Sequence, residues 1–185
     1  MALGFHKTDA GRYVASFDAQ ERVLLRQLAQ DLQEFVGPDR TAVQPDPFSI
    51  GILESASISE DPALARLFPD AYDLDNEAAE DFRRFTETEL REAKAAHLAV
   101  IADTVEASGD KTVLTEPQAR SWMIALNDLR LVIGTRLHLD DDEEPEMEPE
   151  YVEQLTAIYQ WLTWLQESIV GSLMGEIVED DEPLV

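Results

Sequence analysis

Asn127, Asp128, Arg130, Arg136 and His138, side chains able to bind, pair or move protons, sit inside the largely apolar stretch 115–139, TEPQARSWMIALNDLRLVIGTRLHL. Around them Trp122, Leu126, Leu129, Ile133 and Leu137 recur every three or four residues, and Met123, Ala125 and Val132 make a second apolar row. A helix hydrophobic over most of its circumference belongs at the centre of a fold. Asn127, Arg130 and Gly134 fall on one line with His138 four residues beyond, which draws a polar stripe along an otherwise apolar rod. Two chemistries suit such a stripe. In the structural one, Arg130 and Arg136 pair with carboxylates from neighbouring helices, and Asn127 or Asp128 satisfies a helix end or backbone group, because buried polar groups need partners. In the other, Asn127, Arg130 and His138 line a ligand or catalytic pocket. The structural arrangement is the commoner, so Asn127, Asp128, Arg130 and Arg136 are read as a buried polar network.

A second candidate is aromatic. Trp161 and Trp164 lie beside the apolar stripe Tyr151, Leu155, Ile158, Leu162, Leu165, Ile169 and Leu173 of the last helix. They either widen its core contact or anchor a partner or second subunit, where tryptophan is enriched. Beyond these residues the chemistry thins out. His6, His97 and His138 stand in no H-E-x-x-H frame, and the acidic run 140–150 lacks the glycine turn and ligand alternation of a calcium loop. There is no G-x-S-x-G elbow, P-loop or dinucleotide-binding glycine pattern. The chain has no cysteine, which excludes disulfides, thiolate nucleophiles and thiol redox switches. No cofactor or metal is expected.

The charge sets the class of partner. With 39 acidic and 14 basic residues the net charge is -25, yet 44% of residues are hydrophobic, so the chain has the composition of a folded domain with its charge outside. Such a field repels phosphate backbones and anionic membranes, which disfavours direct nucleic-acid binding and favours a protein partner with a basic surface. No stretch has the length and hydropathy of a membrane span or a signal peptide, so a cytoplasmic location is expected.

The elements that must position these residues follow from spacing and caps. A length of 185 residues fits a single domain over 1–185. Residues 3–17 read as a β-hairpin turning at Thr8-Asp9-Ala10-Gly11, and 111–114 as a candidate third strand. Asp18 with Glu21 opens a helix that Gly37-Pro38 stops, and Thr115 with Gln118 opens the central one. Asp61-Pro62 starts a short helix ended by Pro69, and 38–59 is a connector anchored by Phe48, Ile50, Ile52 and Leu53. Residues 76–107 are helical, with Thr86 and Glu89 offering an internal cap that would divide the segment in two. The basic residues Arg83, Arg84, Arg91 and Lys94 in it are read as a solvated face, because Glu80 and Glu87 precede Arg84 and Arg91 by four positions. The run 140–150 is expected to be an exposed mobile loop, 150–178 the last helix, and 179–185 a frayed acidic tail. The fold class is therefore mainly α: a helical bundle around a central buried helix, with a small N-terminal β-hairpin.

Four phrases, DPALARLFPDAY at 61–72, FRRFTETELREAK at 82–94, WMIALNDLRLVIGTRL at 122–137 and YQWLTWLQESIV at 159–170, together resemble an actinobacterial family of unknown function, numbered two thousand and seventeen. The resemblance implies a cytoplasmic protein, often encoded near the ClpS protease adaptor, whose members are connected to oxidative-stress regulation. It transfers no functional residue. A member mechanism that relies on a disulfide does not suit a chain without cysteine. The expectation is a non-enzymatic regulatory or adaptor protein acting on a transcription or proteolysis component, with homo-oligomerisation left open. Two alternatives remain: a small-molecule-binding protein or enzyme with its pocket on the central helix, and a DNA-binding regulator, which would need a basic face.

Overall fold

A computed structural model describes residues 3–37, 61–68, 77–107, 110–139, 145 and 147–175, with the backbone alone for 77–87 and 107. The connector 38–59, the pair Ser108-Gly109, most of the acidic run 140–150 and the tail 179–185 lie outside the described residues. In chain order the elements are β1 (Leu3–Lys7), β2 (Tyr13–Ser16), α1 (Ala19–Val36), α2 (Pro62–Leu67), α3 (Glu77–Ala107), β3 (Lys111–Leu114), α4 (Glu116–Arg136) and α5 (Pro149–Met174).

Local chemistry sets the boundaries. Asp18 accepts from the Gln20 and Glu21 amides while Glu21 accepts from the Asp18 amide, a closed capping box that starts α1. Thr115 and Gln118 make the same reciprocal pair at the start of α4. Asp61 caps α2, its Oδ1 accepting from the Ala63 amide at 2.9 Å, with Pro62 at the first helical position. α3 runs unbroken, so Thr86 does not divide it.

Two helices end earlier than their hydropathy implies. α4 stops at Arg136: His138 takes a left-handed conformation (φ 51) and the Leu139 amide returns to the Gly134 carbonyl at 3.1 Å. This is a Schellman-type ending with histidine where glycine is usual. α5 stops at Met174 because Gly175 (φ 84) turns the chain there.

The sheet order is β1-β2-β3, antiparallel throughout, with Tyr13 opposite Leu114 and Ala15 opposite Thr112. The β1–β2 register shifts between Leu3 and His6. There the backbone of Phe5 turns to α5, its N–H donating to Ser168 Oγ at 3.0 Å and its carbonyl accepting from Ser172 Oγ at 2.7 Å. Gly4 permits this approach, since a Cβ on it would stand 2.9 Å from Ser168 Cβ. The exposed edge of β1 is thereby closed by helix side chains rather than left as a template for another strand.

α4 packs against α1, α2, α3, α5 and β3, as expected of a central helix. At its N-terminal half Trp122 is fully buried, with Phe17 stacked on it at 5.9 Å and Phe5 edge-on at 5.1 Å. The Trp122 indole N–H donates to Thr104 Oγ1 on α3 at 2.9 Å, so the largest buried ring also has its polar group satisfied.

Candidate functional site

The polar residues of α4 do not share one site, and each is positioned by a different neighbour. On the α3 side Asp128 is buried, and Lys94 Nζ donates to its Oδ1 at 2.7 Å, with side-chain exposures of 3% and 13%. Burial pushes the Asp128 carboxyl above its ordinary range; the Lys94 hydrogen bond and charge, and the charge of His97, pull it the other way. Its Oδ2 is buried without a partner. One turn along α3, His97 Nδ1 lies 3.1 Å from Ser121 Oγ, which extends the polar seam towards the start of α4.

Arg91, one turn before Lys94, donates to the Val36 carbonyl at 3.1 Å at the end of α1. Its guanidinium lies 4.5 Å above the Phe68 ring, while Lys94 Nζ lies 5.9 Å from the same ring. Arg91 and Lys94 thus do not form the solvated face that their acid-to-base spacing implied. They close the ends of α1 and α2 onto α3 and α4, since a carbonyl at a helix C-terminus and a buried carboxylate both attract cations.

At the far end of α4, Arg136 donates to Asp61 Oδ2 at 2.6 Å, and the carboxylate is 2% exposed. Asp61 therefore divides its two oxygens between the α2 cap and this ion pair. Asn127 is exposed and stands outside both pairs, and His138 belongs to the terminating turn. Of the three residues drawn as a pocket, Asn127 is thus exposed, Arg130 is engaged by α5 and His138 sits in the turn that ends α4.

Arg130 faces α5. Its Nε donates to Thr163 Oγ1 at 2.9 Å, one Nη1 hydrogen to Gln166 Oε1, and one Nη2 hydrogen to Tyr159 Oη at 3.3 Å. The guanidinium also lies 5.2 Å from the Tyr159 ring centre. The expected carboxylate partner is missing: among the described residues no acid pairs with Arg130. The two tryptophans separate as well. Trp161 is half-buried, edge-on to Phe17 at 6.5 Å, with its indole N–H buried and unpartnered. Trp164 is 40% exposed and borders Gly4; Leu3, which precedes Gly4 in the chain, is 66% exposed.

Ser121 and the α5 trio Tyr159, Thr163 and Gln166 are absent from the residues singled out by the sequence, and Lys94 and His97 are weighed there only as a solvated charge and a histidine outside any metal frame. For Lys94 a signal exists. Leu98, Ile101 and Val105 form the buried stripe of α3, and carrying it back by four and then three residues reaches Lys94 and Arg91. Among the described residues no group of three or more His, Asp or Glu side chains is placed to hold a metal ion.

The model of a family described as a domain of unknown function, DUF2017, matches residues 2–173. The chain belongs to this family. The match spans every element from β1 to all but the last residue of α5. Similar proteins from Mycobacterium tuberculosis and Mycobacterium bovis, both named oxidative stress regulator AosR, are 35% identical over 190 residues, covering 90% of this chain and 84% of theirs. One from Mycobacterium leprae, named putative oxidative stress regulator AosR, is 37% identical over 137 residues, covering 65% of this chain and 62% of its own. No solved structure matches this DUF2017 chain.

Proposed function

We propose that the chain is a non-enzymatic regulator of the response to oxidative stress, acting through contacts with a protein partner. The observation that carries this reading is the similarity, along 90% of the chain, to proteins named oxidative stress regulator. A chain without cysteine has no thiol to oxidise, which leaves its four methionines as the sulfur groups open to oxidants and favours a stress signal that arrives through a partner or ligand. The net charge of -25 favours a partner with a basic surface, a component of the transcription or proteolysis machinery. Trp164, exposed next to Gly4 of β1, is the aromatic anchor of that contact.

Affinity capture of the full chain from a native cytoplasm, at low and high salt, tests the reading. A specific partner is lost as salt screens the charges, and it is lost at low salt from a Trp164→Ala variant whose melting temperature is unchanged. Trp161→Ala, by contrast, disturbs the packing on Phe17 and lowers stability. Equal capture by wild type and the Trp164 variant removes the anchor. A strain lacking the protein whose transcriptional response to peroxide is unaltered removes the regulatory role.

A further inference from the structure

Alternation sorts the sheet residues onto two faces. Tyr13, Ala15, Thr112 and Leu114 are buried on the inner one, so Val14, Ser16, Lys111 and Val113 lie on the outer one, and Arg12 continues it just before β2. Val14 stands opposite Val113, and Ser16 opposite Lys111. The outer face therefore reads, in rows two residues apart, a cation at Arg12, an apolar pair at Val14 and Val113, and a second cation at Lys111. The outer rows are about 13 Å apart at about 3.3 Å per residue. Arg12 and Lys111 are exposed, and Val113 is 46% exposed. Of the acids close to them in sequence, Asp110 is turned to Arg22 at 3.5 Å, and Asp9 makes no ion pair with Arg12.

A segment of this chain carries the matching order. Residues 176–185, EIVEDDEPLV, follow Gly175 and lie outside the described residues. They include five acids and no base, and Glu176, Val178 and Asp180 repeat acid, apolar, acid at every second position. In extended chain those three side chains share one face and span the same distance of about 13 Å. α5 delivers the segment to the sheet. Gly4 lies against Trp164 and Ser168, and Phe5 bonds Ser168 and then Ser172, so helix and strand advance together. The last turn of α5 is thus carried towards His6, which is in register with Val14, and Gly175 (φ 84) takes the chain out of the helix there. The residues beyond it reach about 33 Å when extended, several times the roughly 10 Å from β1 to β3.

We propose that the outer face of the sheet binds the chain's own C-terminal segment in extended form, with Glu176 and Asp180 pairing with Arg12 and Lys111 across the Val14–Val113 pair. The contact depends neither on the regulatory role nor on Trp164.

The absence of cysteine makes the test direct. In the full chain a single Leu184→Cys takes a nitroxide label, and broadening of the Val14, Ser16 and Val113 amide resonances, relative to the reduced label, reads how close the segment comes. These resonances broaden at about 0.1 M ionic strength, where the Debye length is about 10 Å, and recover at about 1 M, where it is about 3 Å. Arg12→Glu/Lys111→Glu turns both attractions into like-charge contacts and lowers the broadening about threefold or more. Glu176→Lys/Asp180→Lys does the same without touching the sheet, and the two pairs of changes combined restore it. A mixture of nitroxide-labelled chain with isotope-labelled, cysteine-free chain shows no broadening, because segment and sheet belong to one molecule. Broadening in that mixture gives the segment to a second copy and overturns the proposal. So does a sheet whose resonances stay sharp at the lower salt, or broadening that both charge reversals leave intact.

Discussion

The two flanks of α4 treat charge in opposite ways. Towards α3, a buried carboxylate on α4 meets a lysine, both nearly out of water, and one carboxylate oxygen is left with nothing. Towards α5, a half-buried arginine on α4 meets a threonine, a glutamine and a tyrosine, all neutral. A charge taken out of water costs several kcal/mol unless an opposite charge compensates it, whereas one that keeps access to solvent needs only modest hydrogen bonds. The α3 flank is therefore sensitive to loss of a partner, and the α5 flank is tolerant. The α3 flank is suited to holding the fold in one register.

The sharpest way to break this contrast is Lys94→Met. Stripped of its counter-charge, Asp128 stays buried, and the expected loss is about 3 kcal/mol, or roughly 10 °C in Tm for a chain of this size. Urea unfolding checks it. Lys94→Met/Asp128→Leu removes both charges and recovers most of that loss, because an apolar pair of similar volume costs nothing to desolvate. Asp61→Ala comes next, at about 2 kcal/mol, since it deletes the α2 cap and leaves Arg136 without its carboxylate in a single step. Arg130→Met on the tolerant flank costs about 1 kcal/mol or less, because Thr163, Gln166 and Tyr159 can turn to water. If it matched Lys94→Met in the same urea series, the distinction between the flanks would fail.

How far these flanks were legible in the sequence differs by the range of the interaction. Caps are local, so Asp18 with Glu21, Thr115 with Gln118, and Asp61 before Pro62 each announce a helix start within four residues, and the structure has all three. The mainly helical fold with its hairpin and third strand follows from such signals and from periodicity. Side-chain direction is not local. Glu87 and Arg91 have the spacing of a surface pair, yet the α1 C-terminus and Phe68 draw Arg91 and Lys94 inward through contacts tens of residues away in the chain. Arg130 misleads for the same reason. Its partners sit 29 to 36 residues on and are uncharged, so nothing in their types marks them as arginine ligands. His138 appeared functional because it continued a polar line; backbone geometry explains it instead, since the left-handed position that ends α4 accepts few residues.

The smallest effect separates the flanks by pH. Burial raises the Asp128 carboxyl above its ordinary value of 3.8. The folded chain therefore holds that proton more tightly than the unfolded chain does, and the unfolded state ionises first. Asp128 favours folding fully only below about 3.8, and that contribution falls as pH rises towards its native value. Asp18 and Glu116 run the other way. The Glu21 amide holds the first below the ordinary range and the Arg120 hydrogen bond the second, so both support folding above their ordinary values and lose that support as pH falls. Whole-protein curves mix all the acids, so the informative quantity is wild type minus Asp128→Asn, which keeps an acceptor for Lys94 but cannot ionise. Measured by urea unfolding from about pH 3 to about pH 6, this difference declines with rising pH. Wild type minus Arg130→Gln stays flat over the same range, because Arg130 has no carboxylate partner to titrate among the described residues. A rising Asp128 difference would mean that the Lys94 pair outweighs desolvation, and the α3 flank would then be held by its charges rather than strained by one of them.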